Sequence, residues 1–202
     1  MEIFNIVKEV VLLIVSIVGV WFAGNALYTW KKEFIGKKKI DLACDIVEQV
    51  CNMQDLINHA RIPVSFVSEQ KEIKEELKKD DVEIKENKLF YLVAKHRILK
   101  HREEIEKFFS LRNKAQLYWN KEILDLFEKL NFVFQLINDA SETLYSTLMQ
   151  KNDVEKAKKI IFNSYEKNDE IVNKVQKIVD EFKLNLEPLY KDRLTTWKKL
   201  SK

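Results

Sequence analysis

The sequence predicts an all-α protein, with an N-terminal transmembrane helix followed by an up-down helical bundle of about four long helices. Three observations predict this class. The 21 residues from Val10 to Trp30 carry no charged side chain. Beyond them, apolar residues recur at helical spacing in a chain that is 33% charged. Only three Gly and two Pro occur, and none lies between Pro63 and Pro188.

The uncharged stretch is long enough to cross a bilayer. As a helix rising ~1.5 Å per residue it spans roughly 30 Å, the thickness of the hydrocarbon core. A cleaved signal peptide is the alternative, because Gly24-Asn25-Ala26 resembles a cleavage site. The segment ahead of the stretch is not basic, however, and this favours a retained anchor.

Charge on either side of the stretch predicts its orientation. A lysine excess follows it, and these side chains are expected to contact lipid headgroups: Lys31, Lys32, Lys37, Lys38 and Lys39. Trp21, Tyr28 and Trp30 lie toward the same end, where aromatic rings favour the membrane interface. We therefore expect a single-pass protein of the cell membrane with its N-terminus outside. Residues 1–36 would form the anchor and its basic flank, and residues 37–202 a cytoplasmic helical bundle.

Small side chains recur along one face of the predicted anchor, at Ser16, Gly19, Ala23 and Ala26. Such a face lets membrane helices approach closely, so it predicts self-association into a homo-oligomer. The alternative is chance, since small residues are common in membrane helices.

Composition disfavours several functions. Net charge is +3, and thirty lysines accompany only five arginines, the residue on which bidentate base recognition depends, so nucleic acid is not an expected partner. Cys44 and Cys51 lie two helical turns apart, about 10 Å, which is beyond disulfide reach and fits a reducing cytosol. Their surroundings match no standard zinc spacing, and no metal or cofactor is expected.

Helix 1 is predicted from Lys31 to Arg61, with Gly36 as its one weak point. It carries two apolar arcs. The first contains Ile40, Ala43, Val47, Val50, Cys51 and Ile57, and the second contains Ile35, Leu42, Ile46, Met53 and Ala60. Two arcs exceed what one antiparallel partner covers, so the helix is either central in the bundle or buried by another subunit as well.

The remaining elements follow from caps and periodicity. Pro63 ends helix 1, and residues 64–86 are predicted as a charged mobile connection or a weakly packed helix. Helix 2 is expected from Asn87 to Trp119, and helix 3 from Lys121. Helix 4 begins after Asp153, a favourable cap, and Pro188 is expected to kink or end it.

The run WKKEFIGKKKIDLACDIVEQVCNMQDLINHARIP, the pair Tyr118-Trp119 and the late FKLNLEPLYK resemble a group of bacterial proteins without an assigned activity. Members of that group are often single-pass, with a helical cytoplasmic domain. Recurrent positions of the group fall on Trp30, Gly36, Ala43, Asp55, Arg61, Pro63, Trp119 and Pro188. This chain departs at Gln54, where the group has Arg, and at Ile62, where it has Asn. The resemblance implies architecture only.

Polar residues on apolar arcs are the candidate ligand site. His101 and Arg112 project onto the core arc of helix 2, and Gln54, Asn58 and Arg61 continue an arc of helix 1. Buried polar groups must be paired, so an internal polar network is the first hypothesis, with Asp55 or Asp139 as partners of the arginines. A small-anion pocket lined by Arg61, His101 and Arg112 is the second. Ser141 and Asn168 are further polar residues on such arcs.

The basic octapeptide Lys95–Arg102 points in several directions around a helix. It is predicted to be solvated surface, with contact to anionic lipid or nucleic-acid phosphate as the alternative. No phosphate loop, zinc-protease motif, nucleophile elbow or di-iron pattern occurs, so an enzyme is not expected. The sequence favours a membrane-anchored, self-associating interaction or scaffold protein with an unidentified protein partner. The alternative is a sensor-effector of bacterial or prophage defence type, in which the bundle binds a ligand and alters the anchor.

Overall fold

A computed structural model of the chain describes residues 2–82, 84–146, 151–162 and 169–200. No strand occurs in these ranges, so the all-α class is confirmed. The elements are α1 (Glu2–Ala60), α2 (Val67–Lys79), a 3₁₀ helix (Glu86–Leu92), α3 (Val93–Lys100), α4 (Arg102–Ala115), α5 (Lys121–Ser146), α6 (Lys151–Ile161) and α7 (Glu170–Leu200).

Helix α1 joins the uncharged stretch and predicted helix 1 in one element. It ends at Ala60 because Pro63, three residues on, has no backbone N–H to continue the ladder. The chain divides into two units, Met1–Asp41 and Leu42–Lys202. In the first unit, side chains 12–38 are exposed. Among the described residues α1 is the one helix long and apolar enough to cross a membrane, and its most apolar 18-residue window has a mean hydropathy of 1.7.

In the second unit, both apolar arcs of α1 are buried within the chain. The buried members are Ala43, Val50 and Ile57 of the first arc, with Leu42, Ile46, Met53 and Ala60 of the second. These members of the two arcs are thus covered within the chain, whereas Ile35 of the second arc, in the first unit, is exposed. The α1 side chain Gln54 donates to Gln176 of α7 over 2.7 Å.

Helix α5 lies at the centre of the second unit and contacts α3, α4, α6, α7 and the 3₁₀ helix. Aromatic rings fill this core: Phe127 of α5 stacks on Phe108 of α4 at 4.9 Å between centroids and meets Phe182 of α7 edge-on at 5.1 Å. All three are fully buried. Burial of aromatic rings on three helices supplies much of the apolar contact that holds this unit together.

Several predicted boundaries were wrong. Helix 2 is divided into the 3₁₀ helix, α3 and α4, because the backbone leaves helical geometry at His101, where φ is −102° and ψ is 21°. Nothing in the local sequence explains that break. Helix 4 is divided into α6 and α7, and Asp169 caps α7 by accepting from the Val172 amide at 2.9 Å. Helix α7 does not end at Pro188, since it runs on to Leu200.

Helix α2 occupies most of the predicted connection 64–86, so the helical alternative describes it. It has one buried side chain, Ile73, which packs in a small second core with Leu89, Leu92, Val93 and Tyr145. After Asp80 the chain turns through Asp81, whose φ of 54° is left-handed. Asp tolerates this conformation better than most residues, which lets the chain reverse toward the 3₁₀ helix.

Candidate functional site

The four predicted ligand residues lie in separate environments. Arg61 is fully buried, while Asp55 is exposed on α1. Half-exposed His101 lies between α3 and α4 and pairs with Glu104 of α4 at 3.1 Å. No described contact joins any two of the four, and none of them lines the groove between α5 and α6 or the groove on α7.

Arg112 is half-buried, and its Nη2 lies 2.8 Å from a carboxylate oxygen of Glu128 on α5. Its Nε is buried and has no hydrogen-bond partner among the described residues. The carboxylate that serves it is therefore Glu128, and not Asp55 or Asp139 as the sequence suggested. Ser141 is buried and donates to the Ile137 carbonyl one turn earlier, whereas Asn168 lies outside the described residues.

Arg61 uses all three guanidinium nitrogens on protein oxygens. Its Nη1 and Nη2 bind the Asp169 carboxylate in a fork at 3.0 and 2.9 Å. Its Nε and Nη2 also donate to the carbonyls of Lys159, Ile160 and Phe162, at the C-terminal end of α6, over 2.7–3.1 Å. Among the described residues no helical N–H donates to those carbonyls, so Arg61 caps α6 and ties it to α1 and α7.

Arg97, which the sequence placed in the solvated octapeptide, is instead 5% exposed. Its guanidinium binds both carboxylate oxygens of Glu69, at 2.7 and 3.0 Å. It also donates to the carbonyls of Ile62 and Val64 at 3.0 and 2.6 Å, and more distantly to two at the end of α1. The prediction of solvated surface was wrong here, because the carbonyls after α1 and the carboxylate of Glu69 replace water around the cation.

His96, beside it, is 4% exposed and has a carboxylate on each side of its ring. Its Nε2 lies 3.0 Å from Glu72, and its Nδ1 lies 3.2 Å from Glu76. Lys100, one turn on, also reaches Glu72, at 2.5 Å. We call Glu69, Glu72 and Glu76 of α2 the acidic face, and His96, Arg97 and Lys100 of α3 the basic face.

Electrostatics of the acidic face follow from these contacts. Burial raises the pKa of Glu69, but hydrogen bonds from Arg97 and from the Phe66 amide outweigh it and bring this pKa below its usual range. Hydrogen bonds from Lys100 and then His96 lower the pKa of Glu72. Both carboxylates are therefore charged at neutral pH and ready to pair with the basic face.

A signal for this contact was present in the sequence. Glu69, Glu72 and Glu76 are spaced three and four residues apart, which places them on one helical face around the apolar Ile73. Such a face needs a cationic partner, and Lys95–Arg102 is the densest basic run outside the anchor flank. Reading the two segments together would have predicted their pairing.

The predicted anchor residues lie in the first unit. Gly19 has no atom within 4 Å of the position a side chain would occupy, and the Ser16 hydroxyl donates to the Leu12 carbonyl of its own helix. The remaining small residues of the stripe, Ala23 and Ala26, are exposed, as are the headgroup lysines from Lys31 to Lys38.

Pockets in the described ranges are shallow. A groove of about 280 Å³ between α5 and α6 is lined mainly by apolar side chains, with Asp139, Asp153 and Lys156 around it. Among the described residues no group of three His, Cys, Asp or Glu side chains is placed to hold a metal ion. The arrangement is thus one of paired charges between helices, without a described catalytic constellation.

Comparison of the chain with protein-family models, with curated proteins and with solved structures found no match.

Proposed function

We propose that the chain is a single-pass membrane protein whose helical domain lies in the cytosol and recruits or organises a protein partner. The observation that carries this proposal is the exposed apolar surface of α1. Side chains from Leu12 to Trp30 are open to solvent in the chain by itself, although most are hydrophobic. Exposed apolar surface of this extent on a helix is stable in lipid and not in water.

The lysines from Lys31 to Lys39 support the orientation, with the N-terminus outside and anionic headgroups as their partners. Protease treatment of spheroplasts tests it. A tag after Lys202 should stay protected until the cells are lysed, while a tag before Met1 should be cleaved. Cleavage of the C-terminal tag from outside would reverse the topology.

For the cytosolic domain we propose an up-down bundle of four rods: the end of α1, α3 with α4, α5, and α6 with α7. Neighbouring rods run in opposite directions when the residue numbers of their contacts increase along one rod and decrease along the other, and contacts of this kind support the proposal. Gln54 meets Gln176 and Arg61 meets Asp169 between α1 and α7, and Phe127 meets Phe182 between α5 and α7. Scaffold surfaces of this kind need no catalytic group, so we propose a binding and not an enzymatic role.

Self-association is the third part of the proposal, and the small-residue stripe from Ser16 to Ala26 supports it. The side chains of the stripe are exposed, whereas the arcs of α1 in the second unit are buried within the chain. The anchor is therefore the part of α1 that a second copy could contact. Native mass spectrometry of the full chain in mild detergent tests this directly, with a defined oligomer expected. A bare monomer would contradict it.

A sensor-effector is the second candidate. The observation that favours it is that Arg61 follows α1 directly and Arg97 binds carbonyls at its end, so packing changes there act on the helix that carries the anchor stretch. Replacing residues 10–30 by polyleucine separates the candidates. A scaffold should keep its activity in cells, whereas an effector should lose it.

A further inference from the structure

His96 is the one described histidine whose two ring nitrogens both face carboxylates. Glu72 approaches Nε2 at 3.0 Å and Glu76 approaches Nδ1 at 3.2 Å, and the imidazole itself is 4% exposed. A carboxylate can only accept hydrogen bonds, and a neutral imidazole has a single N–H to donate. The geometry is satisfied on both sides only when the ring carries both protons.

The groups around His96 leave no other cation for Glu76. On α2, Glu69 pairs with Arg97, and Glu72 is shared by His96 and Lys100, whereas the described partner of Glu76 is His96 alone. From the other elements packed nearby, Glu86 of the 3₁₀ helix pairs with Lys74, and Glu142 of α5 pairs with Lys95. His96 is therefore the described polar contact between the C-terminal half of α2 and α3, while Lys74 holds that half to the 3₁₀ helix.

We propose that His96 is a proton-sensitive clamp: it holds the C-terminal half of α2 against α3 while doubly protonated, and it releases that half when it loses one proton. On release, a lone pair of the buried ring faces a carboxylate oxygen at hydrogen-bond distance with no proton between them, which is repulsive. The N-terminal half of α2 stays in place, because Arg97 and Lys100 keep their charges. The clamp does not depend on the proposed membrane anchoring.

Hydrogen exchange read by mass spectrometry tests the clamp on the full chain in detergent micelles. Amides 74–79 are compared between about pH 5.5 and about pH 8, which brackets the ordinary titration range of imidazole, after correction for intrinsic exchange. Protection of these amides is expected to fall about tenfold at the higher pH, the effect of losing one charged hydrogen bond. Amides of α5 should keep their protection. Unchanged protection of 74–79 across this range would overturn the proposal.

His96→Gln is the first variant, since a neutral amide donor serves only one of the two carboxylates. Its amides 74–79 should exchange rapidly at both pH values. His101→Gln is the matched control, because His101 makes an exposed pair with Glu104, and it should behave as the unchanged protein. A pH response that persists in His96→Gln, or disappears in His101→Gln, contradicts the clamp.

Glu76→Gln keeps the test decisive if His96→Gln disturbs the whole fold. This carboxylate is half-exposed, so its replacement leaves the core intact. The variant should lose most of the pH response of amides 74–79 while α5 stays protected. A full response in Glu76→Gln would assign the effect to another group and overturn the clamp.

Discussion

Arg61 and Arg97 are buried cations, and their surroundings explain why burial is tolerated. Each guanidinium binds a carboxylate in a fork and also donates to backbone carbonyls near the end of a helix. The position of Arg61 on an apolar arc was visible in the sequence. Its partner Asp169 was not, since it lies 108 residues away and helix periodicity carries no information on which helix ends meet.

Arg61→Met is expected to lower the free energy of unfolding by about 3–5 kcal/mol, because Asp169 loses its cation and three carbonyls lose the guanidinium donor in a dry site. Urea titration of the full chain in micelles measures it. Arg102→Met is the matched control: that arginine is exposed and pairs with Glu106 on the surface, so its loss should leave the free energy of unfolding nearly unchanged. Equal costs for the two variants would contradict a structural role for Arg61.

Acid should weaken the attachment of α2. The pKa of Glu69 is lowered in the folded protein, so its stabilisation is present above the ordinary carboxyl pKa and is lost as pH falls through the folded value. Glu69→Gln should flatten the dependence of melting temperature on pH between about 3 and 5, whereas Glu103→Gln, on the exposed face of α4, should not. Parallel curves for the chain and Glu69→Gln would exclude this role.

At the scale of elements, periodicity predicted the long helices and missed their interruptions. Helix α5 begins at Lys121 as predicted, because its apolar stripe is continuous and a polar Asn120 precedes it. The break at His101 has no Gly or Pro to mark it. The sequence does not decide whether the α2 segment is a mobile connection or a helix, because its one buried residue, Ile73, gives too weak an apolar stripe. The charged partners that hold α2 lie on another element.

Ile73→Ala should detach α2 without unfolding the rest of the domain. Large-to-small changes at buried aliphatic sites cost about 2–5 kcal/mol, and here the loss falls on the small second core. Hydrogen exchange of residues 67–79 against α5 measures it. Val67→Ala is the control within the same helix. Because Val67 is exposed, its replacement should leave the protection of both residues 67–79 and α5 unchanged. Loss of α5 protection in Ile73→Ala would mean that the two cores fold as one.

For the whole molecule, composition and periodicity predicted the all-α class, which the described residues confirm. The sequence could not place the rods against one another, because that depends on distant pairs such as Gln54 with Gln176. The sequence of a membrane-spanning helix likewise does not specify which helices pack against it. The oligomeric state is therefore tested by experiment.

Gly19→Ile separates assembly from folding. No atom lies within 4 Å of the added side chain in the single chain, so helical content by circular dichroism should be unchanged. If the small-residue stripe brings copies together, the added bulk should shift the oligomer to monomer in native mass spectrometry. Gly24→Ile, equally open but off the stripe, is the control and should leave the oligomer in place. If the oligomer persists in Gly19→Ile, the small-residue stripe is not the contact between copies.

The ion pair between Arg61 and Asp169 cannot form until well after Arg61 has been synthesised. The two residues are 108 positions apart, so at about 5–20 residues per second the ribosome makes Asp169 roughly 5–20 s after Arg61. During that interval the uncharged stretch has already left the exit tunnel, while the end of α1 still lacks its carboxylate. Arg97 and Glu69, 28 positions apart, are available to each other much sooner. Arg97 and Glu69 can therefore pair during synthesis before α7 exists, and truncation before Asp169 removes the carboxylate that Arg61 binds.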